Sequence, residues 1–163
     1  MTRLATPRLD GHPVARSDAG FLAALFGRAE VGHWTGESRA PWTAAEAARR
    51  AEGFAAHWAA HGFGLRVWRE GAAPVALAGL QFCVIDGRAE VELSFAVSPE
   101  RQGEGLAREA AAAALAEAPG IAAEVAAVTW ADNAPALTLL AALGFREARA
   151  AGARRLLRLR TRP

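Results

Sequence analysis

Residues 98–109 read Ser-Pro-Glu-Arg-Gln-Gly-Glu-Gly-Leu-Ala-Arg-Glu and lie between an apolar alternating run and an alanine-rich segment. That order predicts a strand, a turn at Ser98-Pro99, a glycine-rich loop and a long helix. The first amides of a helix lack intrahelical acceptors, and the helix dipole favours negative charge beside them. Gly103 and Gly105 carry no Cβ, so the backbone can close on an anion. The chemistry expected of this loop is therefore phosphate binding. Two phosphate loops are excluded. A P-loop ends in Gly-Lys-Ser/Thr and this chain has no lysine, while a dinucleotide fingerprint needs a small residue where Arg108 stands. Upstream, Glu90 and Glu92 face the same side of an ideal strand and offer carboxylates for proton transfer. His57 and His61 have metal-ligand spacing, but Trp58 follows His57 where a zincin needs glutamate. With no third ligand in view, no metal is expected.

The elements that must hold these groups can be read along the chain. A first strand is expected over residues 4–16, broken by Gly11-His12-Pro13. Ser17-Asp18 offers caps for a helix running to about Gly27. Thr43 with Glu46 forms a capping box ahead of a helix over 44–61. Strands follow near 63–70, 74–84 and 89–97, with turns at Gly71 and Asp86-Gly87, the latter a strong hairpin signal. The helix after the glycine loop stops at Pro119-Gly120; a strand over 124–130, a helix over 134–143 and strands near 145–150 and 153–161 complete the chain. Meander strands followed by strand–helix–strand imply an α/β architecture: a mixed sheet with helices on both faces. No repeat or linker is visible, so residues 1–163 are expected to form one domain.

Apolar residues make up 52% of the 163, which argues for an ordered core. The net charge of only +2 gives no reason to expect nucleic-acid binding. Arginines cluster over 154–160; a final strand with leucines inward and charges to water accounts for them better than an anion patch. The single cysteine, Cys83, excludes an internal disulfide and reads as a small buried hydrophobe. With no signal peptide and no membrane-spanning run, the expected compartment is the cytoplasm.

Gln102-Gly103-Glu104-Gly105-Leu106-Ala107 resembles Gln/Arg-x-x-Gly-x-Gly/Ala, the coenzyme A pyrophosphate loop of the GNAT acyltransferases. The rest of the chain is similar to the branch of that superfamily typified by the ribosomal-protein N-terminal acetyltransferases. Thr6-Pro7-Arg8-Leu9 resembles its Thr-x-Arg-Leu opening, and Glu30 through Gly36 (EVGHWTG) its "evxrwtg" segment. Trp58 to Gly64 leads into a strand as in the family, Glu92-Leu93-Ser94-Phe95 stands where it has Glu-Ile-Gly-Tyr, and Pro99-Glu100 precedes the loop. Asn133 and Gly144-Phe145 match its closing Asn…Gly-Phe motif in spacing.

The resemblance implies the GNAT fold, a mostly antiparallel mixed sheet in which two parallel strands splay apart. It implies acetyl-CoA as co-substrate, a primary amine as acceptor, and a monomer or homodimer with no membrane or nucleic-acid partner. Pantetheine would lie as a substitute strand against Phe95, Ala96 and Val97, with the pyrophosphate on the amides of 102–107. Asn133 would lie beside the pantetheine; as the residue before a helix it is equally a cap. Glu92 is the expected base, since an amine with a pKa of about 10 must lose a proton before it attacks. An unpaired amide near Phe95 or Ala96 would receive the oxyanion. His33 and Trp34 are expected on the acceptor side. Trp42, Trp58 and Phe63 belong either there or in the core. The chain departs from its relatives in the acid: it has no tyrosine, Ala136 stands at the position of the branch's serine with Pro135 before it, and Thr138 has no precedent. A non-catalytic acyl-CoA-binding module of the same fold is the alternative.

Overall fold

The computed structural model describes residues 3–162. In chain order the elements are β1 (Leu4–Ala5), β2 (Asp10–Pro13), α1 (Ala19–Phe26), α2 (Ala29–Gly32), α3 (Ala44–His61), β3 (Leu65–Glu70), β4 (Ala73–Ile85), β5 (Arg88–Val97), α4 (Leu106–Leu115), β6 (Glu124–Trp130), α5 (Ala134–Ala142), β7 (Arg146–Ala151) and β8 (Arg154–Arg160). The strands form one eight-stranded sheet in the order β1-β2-β3-β4-β5-β6-β8-β7, antiparallel throughout except at β5–β6.

Local chemistry sets several boundaries. Thr43 Oγ1 accepts from the Glu46 amide at 3.2 Å and the Glu46 carboxylate accepts from the Thr43 amide at 2.8 Å, which starts α3. Gly62, at φ 73°, ends it. Asp86 and Gly87 both take positive φ and turn β4 tightly into β5. The opening strand departs from expectation. The chain turns at Thr6–Leu9, where the Thr6 amide bonds the Leu9 carbonyl, while Gly11, His12 and Pro13 lie inside β2. Gly11 serves packing: a Cβ there would come within 2.8 Å of the Trp68 ring.

Helices cover both faces. On one, α1 and α3 bury Leu22, Leu25, Ala47 and Ala51 against Leu65, Val67 and Leu77. On the other, Ala111 and Ala114 of α4 and Leu140 of α5 pack on Leu80, Leu93, Val125 and Leu157. The burial of both of the consecutive Leu156 and Leu157 shows that β8 is covered on its two sides. It also corrects the expectation that the β8 arginines face water. Arg160 is exposed, but Arg158 pairs with Glu90 and Glu124, and Arg154 packs on the Trp130 ring.

β4 outruns β3, whose pairing ends at Leu65–Gly79. His57 serves the freed edge. Its Nε2 accepts from the Phe82 amide at 3.0 Å, and its Nδ1 bonds the Phe63 carbonyl at 2.9 Å. Both ring nitrogens are thus committed, and burial pushes the imidazole below its usual range. Trp58 and Phe63 are core residues.

Candidate active site

β5 and β6 share a single bridge, Glu92–Ala126. Beyond it their C-terminal ends separate, and a cavity of about 740 Å³ opens between them. Remote segments line it: the end of β5, the glycine loop with the first turn of α4, the end of β6 through Asn133 into α5, the α2 region with Trp42, and side chains of α3, β4 and β8, Arg154 among them.

One end of the cavity is made of backbone. Gly103 and Gly105 sit at φ 82° and 79°, a region side-chain-bearing residues rarely adopt. A Cβ on Gly103 would meet nothing within 4 Å, and one on Gly105 only an Arg8 nitrogen at 3.6 Å. Conformation and outward space, rather than internal packing, therefore call for glycine here. Among the described residues the amides of 103–108 donate to no acceptor; the first helical bond runs from the Glu109 amide to the Gly105 carbonyl. Six free amides at the start of a ten-residue helix make an anion cradle. Its frame is braced. Gln102 donates to the Val97 carbonyl at 3.3 Å, and Arg101 bridges Glu70 and Glu104. Arg8 bonds the Glu104 carbonyl at 2.9 Å and Glu109 at 2.6 Å, which holds a cation beside the loop.

Glu92 lies in the cavity wall where the strands part. Burial pushes its carboxyl up to about 7, against the opposing pull of the Cys83 thiol, the Val128 amide and the Arg154 charge. Cys83 is half-buried beside it on the neighbouring strand. Burial, with the charges of Glu92 and Glu90, lifts the thiol to about 12 and makes it a poor nucleophile. Glu90 is engaged by Arg158, which holds its carboxyl below the usual range, and it does not line the cavity.

The other end is made of side chains. Trp34 and Trp42 line the wall, the latter stacked on Phe26 at 4.1 Å. Arg39, at φ 54°, places its guanidinium 4.9 Å from the Trp34 ring and 4.6 Å from the Trp130 ring, with Asp132 bound in a fork at 3.1–3.2 Å. Arg154 lies 4.7 Å from the same Trp130 ring.

The acetyltransferase (GNAT) domain model matches residues 8–146. The chain belongs to the GNAT acetyltransferase family. Among solved structures, one assigned to the GnaT-family acetyltransferases of Bordetella pertussis is 26% identical, with a TM-score of 0.81 over 97% of this chain and 99% of that one. The ribosomal-protein-S5-alanine acetyltransferase of Vibrio fischeri (16% identity, TM-score 0.75, 98% and 97% covered) shares the fold. So does Mycobacterium smegmatis RimJ in complex with CoA-disulfide (20% identity, TM-score 0.72, 93% and 81% covered). No curated protein matches the chain by sequence.

In this GNAT-family chain the cavity gathers Glu92, Phe95, Ala96, Val97, Gln102, Gly103, Gly105, Leu106, Ala107, Asn133 and Trp34. Asn133 also caps α5, accepting from the Ala136 amide at 3.4 Å. Two expected residues fall outside the lining. His33 is exposed, edge-on to Trp34 at 4.8 Å, because α2 ends at Gly32 and turns its ring outward. Glu104 spends its carboxylate on Arg101 and its carbonyl on Arg8. Ala136 and Pro135 line the wall, whereas Thr138 is exposed and outside it. Arg8, Arg39, Trp130, Asp132 and Arg154 were not assigned to the site from sequence. Arg8 alone carried a signal, within the Thr6–Leu9 opening.

Proposed function

We propose that residues 1–163 constitute one domain that transfers an acetyl group from acetyl-CoA to a primary amine in the cytoplasm. The observation that carries this reading is a half-buried carboxyl, Glu92, in a cavity that ends in six unengaged amides. The residues present fit coenzyme A. The amides of 103–108 and Arg8 suit a pyrophosphate, and the strand edge at Phe95–Val97, where β6 has departed, suits an amide-bearing arm. When bound, acetyl-CoA supplies an activated acyl carbon with thiolate as leaving group. RimJ, of the same fold, is known with a coenzyme A derivative bound.

The chain's residues then divide the chemistry. Glu92, titrating near neutrality, takes the ammonium proton directly or through a water. A free β5 amide near Phe95 or Ala96 donates to the developing oxyanion. Thiolate leaves unaided at neutral pH or takes its proton from water, since the chain has no tyrosine and Ala136 offers no hydroxyl. The acceptor class spans peptide N-termini and small amines.

Ala136 in the wall also favours a second reading, a module that binds acyl-CoA without turning it over. Thiol release from acetyl-CoA across peptides, amino acids, polyamines and aminoglycosides separates the two. Release dependent on one amine class is expected. Coenzyme binding with no release above hydrolysis would replace the enzyme by the module.

A further inference from the structure

Two guanidiniums rest on one indole at the acceptor end, and only one has a carboxylate. Arg39 is satisfied by Asp132 and by the two tryptophans. Arg154 has the Trp130 ring, but no carboxylate partner among the described residues. The contrast along β8 is direct. Arg158, four residues on and on the same face, is neutralised by Glu90 and Glu124. Arg155, on the opposite face, reaches Glu147 at 3.5 Å. Arg154 instead lines the cavity that holds Glu92, and Trp130 fixes it there with its N–H donors unspent among the described residues.

The two ends of this half-site are on one face of the sheet. Glu92 pairs with Ala126 on β6, and Trp130 pairs with Arg154 four residues further along, about 13 Å of strand. Long side chains lean into the gap from both ends. A carboxyl that receives an amine thus faces a guanidinium that feels its charge across the gap but bonds no carboxylate among the described residues. A second cation on the acceptor would meet repulsion from Arg154.

We infer that the acceptor amine is borne by a small molecule that also carries a carboxylate or phosphate, which Arg154 binds from its perch on Trp130. This rests on the acetyltransferase reading and narrows its acceptor: polyamines and aminoglycosides are excluded, and anionic amines selected. Arg154 is the specificity-determining residue.

The test uses matched pairs: β-alanine against propylamine, ε-aminocaproate against hexylamine, and phosphoethanolamine against ethanolamine, with cadaverine as the cationic member. The two amino acids probe carboxylate at two spans, and the third pair probes phosphate. In the wild type, kcat/KM for the anionic member of at least one pair should exceed that of its partner by about tenfold or more. Arg154→Gln should collapse that ratio towards unity, and Arg154→Glu should invert it in favour of cadaverine. Arg160→Gln, an exposed change on the same strand, should preserve the ratio. Were Arg154 merely setting the charge of Glu92, its loss would slow all amines alike and leave the ratio intact; that result overturns the inference. Calorimetry of the same anionic amines on the CoA-saturated protein reads the site without turnover. Binding that Arg154→Gln abolishes upholds it even if no amine releases thiol, in which case the transferase reading alone falls. Equal use of neutral and anionic amines, or no binding of any anionic one, overturns it.

Discussion

The two ends of the cavity are built by opposite means. The glycine-loop end is backbone: free amides, two left-handed glycines and a strand edge, all within residues 95–108. The tryptophan end is side chain, drawn from residues 34–42, 130–132 and 154, which meet only in the folded protein. A backbone site binds what any sequence with the same turn would bind, so it suits a constant ligand. A side-chain site changes with each substitution, so it suits a ligand that differs between relatives. Glu92 stands at the seam.

If that division is right, substitutions at the seam and at each end should separate cleanly. The largest effect is expected at the seam. Glu92→Gln should lower kcat by about a hundredfold or more while acetyl-CoA affinity is nearly kept, as stopped-flow turnover and calorimetry would show. The wild-type rate should rise with pH through about 7, as Glu92 loses its proton and becomes a base, and then level off. The Gln variant should be flat across that range; an unchanged rate would remove Glu92 from the mechanism. Next, Gly105→Glu should weaken acetyl-CoA binding by about a hundredfold, from left-handed strain and charge conflict with the pyrophosphate. Undiminished affinity would move the phosphate site elsewhere.

A third expectation concerns stability. Between 4.5 and about 7 the folded protein keeps the Glu92 proton that the unfolded chain has lost. Wild-type stability should therefore fall as pH rises through that window, by about 3 kcal/mol. Denaturant titrations of Glu92→Gln should lack this loss; matching slopes would mean the carboxyl is better solvated than the structure has it. The smallest effect is expected at the tryptophan end. Asp132→Asn should loosen Arg39 and raise acceptor KM about threefold, with coenzyme affinity unmoved. A change in coenzyme affinity instead would break the separation of the two ends.

The same division explains what was legible in the sequence. Gly103, Gly105 and the Ser98-Pro99 turn announced the loop because their meaning is local. Thr43 with Glu46 and Asp86-Gly87 did the same for α3 and the β4–β5 hairpin. Gly11 misled because its reason, the Trp68 ring above it, is 57 positions away. Arg154 read as a solvent-facing charge because the Trp130 ring that holds it lies on a neighbouring strand, 24 positions away. His33 and Trp34 are adjacent, yet one faces out and the other in, a choice made by where α2 ends.

Cys83 has a practical consequence. It is the lone thiol of the chain, and it stands beside the carboxyl on which the proposed chemistry turns, its own ionisation coupled to that of Glu92. The S–H stretch of a thiol falls in an infrared window that the other groups of this protein leave clear. The charge of a neighbouring carboxylate perturbs an S–H bond more than a neutral carboxylic acid does, so ionisation of Glu92 should shift that band. The protein thus contains its own vibrational probe, beside the site, with which the protonation of Glu92 can be followed without a label.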